Sequence, residues 1–255
     1  MSRQRKGTQL ALSPARKLLI KMLHHARRLP SVPVARTIQI ADVAHARQHA
    51  RPSPSWTAVF LRAYGLVCQE FAELRRAYLP WPYPHLYEHP QSIGAVAIER
   101  QLEGGSVLLA AKIRGPEDMP LEAIDGYLCR FKTTPVERVG SFRQLLRIGR
   151  LPWLLRRFIF WHSLYLSGYK RAKRFGTFMV SSYGSLGAEQ LHPLCPLTTL
   201  LTFGPIHPTG DVVVKVIYDH RVVDGRRIAS CLSQLEQVLQ TSIVKELHNL
   251  RRLAA

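Results

Sequence analysis

Acidic residues are scarce in this sequence of 255 residues. It contains 17 Asp and Glu against 36 Lys and Arg, which gives a formal net charge of +19 when the eleven His are neutral. This balance is far from that of a typical cytosolic enzyme, and it implies an acidic partner.

Cysteine is also sparse, and its spacing carries no pattern. The four residues Cys68, Cys129, Cys195 and Cys231 form no CxxC pair. Neither a disulfide framework nor a zinc site follows from such positions, and we predict no metal site. A reducing compartment is the natural interpretation.

Long hydrophobic runs are missing as well. Arg156 and Arg157 interrupt the best candidate, which lies near residues 151–166, so no run reaches the roughly 18 apolar residues of a membrane span. The stretch Thr8–Leu12 is too short for the apolar part of a signal peptide. We therefore expect a cytoplasmic protein that does not span a membrane, with peripheral contact to a membrane left open.

What is present is typical of a globular chain, with 46% hydrophobic and 21% charged residues. Hydrophobic periodicity and helix caps predict helices over residues 13–28, 53–78, 120–132, from 141 onward, and 226–239. Alternating patterns predict strands over residues 34–40, 93–98, 106–113, 177–181, 197–203 and 212–218, with a hairpin turn at Gly104-Gly105. With no repeat and no linker, a single α/β domain is favoured between a basic tail at 1–12 and a C-terminal tail at 246–255.

One stretch, Asp219-His220-Arg221-Val222-Val223-Asp224-Gly225, lies between the last predicted strand and the last predicted helix. A sheet fixes the position of a His at the end of a strand, and such a His serves as a general base when its pKa is near neutrality. Asp224 can hold the connecting turn, and Gly225 permits a tight backbone there. On spacing alone, a surface turn that happens to contain His, Asp and Gly is the favoured interpretation.

This stretch resembles the signature of the dihydrolipoamide acyltransferase catalytic domain of 2-oxoacid dehydrogenase complexes. The wider His-x-x-x-Asp-Gly pattern is shared with chloramphenicol acetyltransferase. A second block, residues 176–187, resembles the Gly-Thr-Phe-x-Ile-Ser-Asn-Leu-Gly strand of that family, and Pro193 and Pro196 also match. Ala15-Arg16-Lys17 is similar to the family's opening helix, so the resemblance extends over about residues 13–243.

The resemblance implies a CoA-dependent acyltransferase. His220 would be the general base that deprotonates the attacking thiol, hydroxyl or amine, and Ser181 would stabilise the oxyanion of the tetrahedral intermediate. Asp224 would be structural, paired with Arg16, and Gly225 would support the same turn. The substrate would be coenzyme A or acyl-CoA, with a lipoyl carrier as one option and no permanently bound cofactor.

The resemblance also implies the architecture. We expect an α/β fold like that of chloramphenicol acetyltransferase, a two-layer arrangement in which helices cover a mixed β-sheet. Residues 13–245 would form the catalytic domain, and the protein would be a homotrimer or a larger assembly with its active site between subunits. The sequence shows no lipoyl domain, so we expect the catalytic domain to stand alone.

The largest departure from the family is an insertion at residues 141–175, where the family has a short polar connection. The insertion holds nine Lys or Arg and no acid, and its apolar stripe consists of Trp153, Leu154, Phe158, Trp161 and Tyr165. An interfacial helix on anionic lipid, or a wall for a long acyl chain, is one interpretation. Packing of the stripe on the core or on a neighbouring subunit is the other, with equal support from sequence.

Two other functions remain open. A non-catalytic trimeric scaffold could dock on a membrane or on a dehydrogenase complex, although it would not need His220 or Ser181. The first 51 residues hold 11 Lys or Arg and only Asp42 as an acid, which suits nucleic acid. No recognition motif accompanies this charge, so nucleic-acid binding ranks well below acyl transfer.

Other histidines carry weaker signals. The segment His85-Leu86-Tyr87-Glu88-His89 matches the metal-binding pattern H-x-x-E-H, but Pro84 and Pro90 leave no room for the helix that the pattern needs. His45 and His49 share a helical face, which we interpret as solvated surface.

Overall fold

The computed structural model describes residues 7–9, 11–102 and 105–253. The helices in this part of the chain are α1 (Pro14–Ala26), α2 (Ala41–His49), α3 (Trp56–Glu70), α4 (Leu121–Thr133), α5 (Gly140–Arg150), α6 (Trp153–Trp161), α7 (Gly168–Phe175), α8 (Gly225–Val238) and α9 (Val244–Leu253). The strands are β1 (Ser31–Gln39), β2 (Arg76–Leu79), β3 (His85–Glu88), β4 (Ile93–Leu102), β5 (Gly105–Arg114), β6 (Phe178–Val180), β7 (Thr199–Phe203) and β8 (Asp211–Asp219). Most of the predicted basic tail, and Gly104 of the predicted turn, lie outside the described residues.

The start of α1 follows from local sequence. The Ser13 hydroxyl accepts a hydrogen bond from the amide N–H of Arg16 at 3.2 Å, and Pro14 occupies the first turn, where its missing N–H costs nothing. The helix ends at Ala26, two residues earlier than predicted, and leads directly into the edge strand β1.

Six strands form one mixed sheet in the order β1-β8-β7-β6-β4-β5. Strand β6 is parallel to both of its neighbours, β4 and β7, and the other pairs are antiparallel. The hairpin of β4 and β5 is confirmed. Strands β2 and β3 form a separate two-stranded sheet, which the sequence did not predict.

Both faces of the large sheet are covered. Along β8, Val214 and Val216 join the larger core, which includes α3 and α8, whereas Ile217 points the opposite way. Ile217 belongs to a smaller core that also contains Leu18 of α1 and Leu145 of α5. The predicted α/β fold, a mixed sheet covered by helices, is confirmed.

The second predicted helix is shorter than its hydrophobic pattern suggests. It was expected to run to Tyr78, but α3 ends at Glu70 and residues 76–79 form β2. The guanidinium of Arg75 donates hydrogen bonds to the backbone carbonyl of Cys68 at 3.0 Å and to that of His89 at 2.9 Å. It thus ties the helix end to a distant loop, a contact that no local pattern encodes.

The end of the chain also differs from the expectation. Residues 246–253 were expected to be a tail, yet they belong to α9, whose Leu247 is fully buried. Glu246 forms an ion pair with Arg62 of α3 at 2.7 Å. The apolar side of α9 closes the larger core, so these residues are part of the folded domain.

The segment at residues 141–175 is helical as predicted and contains most of α5 and all of α6 and α7. Its apolar residues divide into two groups: Phe160 and Phe175 are buried in the smaller core, while Trp153 and Phe158 are exposed. Among the described residues, no helix combines the length and apolar character that crossing a bilayer requires.

Candidate active site

The turn between β8 and α8 carries the histidine of the predicted site. The amide of Asp219 donates to the carbonyl of Thr198 at 2.9 Å, and the amide of His220 donates to the carbonyl of Pro30 at 3.2 Å. The backbone of His220 is therefore held from two sides, by the entry to β7 and by the connection between α1 and β1. Its side chain is 48% exposed and thus accessible to a substrate.

Asp219 anchors this turn, a role that sequence reasoning had given to Asp224. Its fully buried carboxylate accepts hydrogen bonds from the Arg221 guanidinium at 2.9 and 2.7 Å and from the Arg221 amide at 3.1 Å. These bonds raise the pKa of Arg221, whose guanidinium also lies 4.6 Å from the centre of the Tyr78 ring. The bidentate pair fixes the backbone on both sides of His220.

A second arginine, which the sequence did not single out, lies beneath the turn. Arg171 of α7 is buried and donates hydrogen bonds to the carbonyls of Tyr78 at 3.1 Å and Pro196 at 2.9 Å. Burial lowers its pKa to about 10, and the negative charge of Asp219 partly opposes that shift. Arg171, Asp219 and Arg221 therefore form a group of charges behind His220.

Asp224 occupies a different position from the one expected. Its side chain is 87% exposed, and one carboxylate oxygen lies 3.8 Å from Nδ1 of His220, beyond hydrogen-bond distance. Arg16 lies on the exposed side of α1, and among the described residues its side chain forms no ion pair with Asp224. Within one chain, the structure does not bring these two residues together.

Gly225 packs closely against Tyr218. A Cβ atom at this position would lie 3.0 Å from the hydroxyl of Tyr218. The glycine therefore lets α8 begin directly against β8, which places Asp224 and His220 in one compact turn.

Ser181 follows β6, at the opposite end of the strands from His220. Its amide donates to the carbonyl of Leu201 at 3.0 Å, so the strand geometry continues to this residue. The next residue, Ser182, ends the strand: its hydroxyl donates to the carbonyl of Phe203 at 2.6 Å and accepts from the amide of Gly184 at 3.0 Å. Among the described residues, the half-buried Ser181 hydroxyl has no hydrogen-bond partner.

The register of the sheet separates the two predicted catalytic residues. Phe178 pairs with Thr199, which pairs with Tyr218, so these three residues lie in one row across the sheet. Ser181 lies three residues beyond this row in one direction, and His220 lies two residues beyond it in the other. At roughly 3.3 Å per residue, they are about 17 Å apart along the strands. His220 and Ser181 of the same chain therefore do not meet.

Other candidate groups have local roles. His85 and His89 each bond through Nδ1 to a nearby backbone carbonyl at 2.7 Å, and Glu88 pairs with Arg76 at 2.8 Å. In the part of the chain that the structure describes, no group of three or more His, Cys, Asp or Glu could hold a metal ion.

The buried thiols are poor nucleophiles. Burial raises the pKa of Cys195 and of Cys231 to about 12, so neither carries an appreciable thiolate fraction at neutral pH.

No protein-family model matches the chain, and a search of curated proteins found no match. Among solved structures, the cubic core of the pyruvate dehydrogenase multienzyme complex matches with 14% identity and a TM-score of 0.70 over 94% of this chain and 95% of that chain. The dihydrolipoamide acetyltransferase of Azotobacter vinelandii matches with 14% identity and a TM-score of 0.68 over 94% of each chain. Chloramphenicol acetyltransferase matches with 12% identity and a TM-score of 0.51 over 88% of this chain and 94% of that chain. Likeness at such low identity establishes the fold: the chain has the fold of dihydrolipoamide acetyltransferase cores and chloramphenicol acetyltransferase.

Proposed function

We propose that the protein is a CoA-dependent acyltransferase whose active site combines His220 of one subunit with Ser181 of another. The observation that carries the proposal is the placement of the two residues at opposite ends of the strands of one sheet, each with a side chain that is at least partly exposed. A ring of subunits in which the His220 end of one sheet meets the Ser181 end of the next would assemble the pair.

The chemistry requires one base and one oxyanion donor. Nδ1 of His220 faces Asp224, which leaves Nε2 to take the proton from the attacking thiol, hydroxyl or amine. The attacking atom forms a bond to the acyl carbonyl carbon, and the resulting oxyanion accepts a hydrogen bond from the Ser181 hydroxyl. When the intermediate collapses, the bond to the leaving thiolate breaks and the imidazolium returns the proton to that sulfur.

Asp224 is suited to assist this step without accepting a proton. Its carboxylate, 3.8 Å from Nδ1, stabilises the imidazolium that exists while the intermediate lasts. In the Azotobacter vinelandii protein, a serine, a histidine and an asparagine four residues after that histidine have been investigated for roles in the catalytic mechanism. His220 and Asp224 have the same spacing, with a charged group in place of the amide.

The proposed trimer agrees with the surface next to Ser181. Between Ser181 and β7, the side chains of Leu186 and Leu191 are 77% and 76% exposed in the single chain. Apolar side chains this exposed in a long loop are suited to be covered by a neighbouring subunit. The net charge of +19 further suits a substrate with several phosphates, as CoA has.

The test is release of free CoA thiol from acyl-CoAs of increasing chain length, with and without dihydrolipoamide. The His220→Ala variant should lose about 10²- to 10⁴-fold in rate, as expected for a general base. The Ser181→Ala variant should lose about 10²- to 10³-fold, as expected for an oxyanion donor. Activity that survives in the folded His220→Ala variant would refute the assignment.

A further inference from the structure

Helix α6 presents apolar side chains to solvent. Trp153, Leu154 and Phe158 are 61%, 62% and 58% exposed, and Leu155 is also exposed. These four residues are called the α6 surface below. Of the nine residues of α6, only Phe160 is buried, so this helix packs by a narrow edge and turns its broad apolar face outward.

Aromatic residues of another element extend the α6 surface. Trp81, in the loop between β2 and β3, is exposed, and its ring lies 6.4 Å from that of Trp161. Tyr83 of the same loop is exposed as well. Exposed Trp and Tyr beside exposed Leu and Phe form the mixture that enters the boundary between lipid headgroups and acyl chains.

The segment that contains α6 is strongly positive, and among the described residues its cations form no ion pair with a carboxylate. Residues 141–175 contain nine Lys or Arg and no acid. None of the ion pairs among the described residues involves a residue of that segment. The crowding extends to α1, where burial first, and then the charges of Arg157, Arg28 and Arg156, lower the pKa of Lys21.

Part of this charge converges on one cleft. Arg143 and Arg147 of α5 and Arg174 of α7 line an open cleft of about 410 Å³, together with Ile148 and Ile159. No carboxylate lines it. Three guanidinium groups around apolar walls are suited to a phosphate that is attached to a hydrophobic molecule.

From these observations, we propose that the α6 surface docks the protein on an anionic membrane. Trp153, Leu154 and Phe158 would enter the interface, and the cleft of Arg143, Arg147 and Arg174 would bind a lipid phosphate. A second copy of the chain is a poorer occupant, because the contact would bring two strongly basic surfaces together. The docking does not depend on acyl transfer.

The experiment is flotation with two kinds of vesicle, one of phosphatidylcholine alone and one with phosphatidylglycerol added. The protein should float with the anionic vesicles only. The Arg143→Gln/Arg147→Gln variant should bind about 25-fold more weakly, since each cation near an anionic surface contributes roughly a factor of five to binding. The Trp153→Ala/Phe158→Ala variant should lose at least about tenfold, because two aromatic anchors are removed.

Matched controls come from α4, which packs on the other face of the sheet. Arg130 and Lys132 are exposed there, and so is Tyr127. The Arg130→Gln/Lys132→Gln and Tyr127→Ala variants should float like the unchanged protein. Equal thermal unfolding midpoints for all variants would establish that each one is folded.

Three results would overturn the proposal. These are equal flotation with neutral and anionic vesicles, equal loss in the α4 controls and the α6 variants, and self-association without lipid that the α6 variants abolish. The last result would assign the surface to a second copy. Inorganic phosphate should release the protein from anionic vesicles no better than chloride does at the same ionic strength, because the proposed ligand of the cleft is a phosphate within a bilayer.

Discussion

The separation of His220 and Ser181 predicts complementation between two inactive variants. About 17 Å along the strands divides the residues within one chain, whereas a base and an oxyanion donor must both lie within roughly 3 Å of the reacting atoms. Each site would therefore take its His220 from one subunit and its Ser181 from the next. Neither the His220→Ala protein nor the Ser181→Ala protein should be active alone.

The magnitude follows from counting sites in a closed ring. In any mixed trimer, two of the three subunit contacts contain at least one mutated catalytic residue, and one contact joins an intact His220 to an intact Ser181. Mixed trimers should therefore show about one third of the unmutated activity, whereas mixed dimers would show about one half. The recovered fraction thus measures the number of subunits as well as the location of the site.

The assay uses two affinity tags, one on each variant, with co-expression and successive purification on both tags. The CoA thiol released by the mixed assembly is compared with that from an assembly of two differently tagged His220→Ala chains, which should stay inactive. Mixed assemblies that are no more active than this control would refute a shared site and would require both residues to act within one chain.

Two further predictions concern stability. Asp219→Asn should lower the free energy of unfolding by about 2 kcal/mol, because it breaks a buried charge pair whose arginine is partly solvated, whereas Asp224→Asn should change it little; urea unfolding compares them. His25 bonds through Nδ1 to the hydroxyl of Tyr165 at 2.9 Å, and burial lowers its pKa to about 4. Because the folded pKa lies below the unfolded value of about 6.5, the stability present above pH 6.5 should fall by about 2 kcal/mol as the pH drops toward 4. Unfolding measured against pH should show this loss, and His25→Phe should remove it.

The parts of the fold that the sequence predicted correctly depend on short-range patterns. Ser13-Pro14 sets the start of α1, and alternating residues define the hairpin of β4 and β5. The predicted end of α3 was wrong because residues 76–79 pair with β3 instead of continuing the helix, and Arg75 contacts the carbonyl of His89 beyond that strand. Periodicity reports which side of an element is apolar, but it does not report where a distant side chain will end it.

In the candidate site, too, the sequence predicted what a contiguous motif encodes and missed what tertiary contacts decide. The His220 turn could be recognised because it is a contiguous motif, and so could the strand before Ser181. The roles of Asp219 and Asp224 could not be separated by sequence, since both flank His220 within a few residues. Burial decides between them: Asp219 lies against the entry to β7 and pairs with Arg221, whereas Asp224 faces solvent.

Helix α7 links the segment at 141–175 to the turn of His220. Arg171 bonds to the carbonyls of Tyr78 and Pro196 behind that turn, whereas Arg174, one helical turn later, lines the basic cleft. Replacing the whole segment with a short loop would leave the buried carbonyl of Pro196 and the partly buried carbonyl of Tyr78 without their donor, and it would remove a charge beside Asp219. Loss of activity in such a deletion would therefore report damage to the site. Only substitutions on α6 and at the mouth of the cleft separate membrane docking from catalysis, because they leave Arg171 in place.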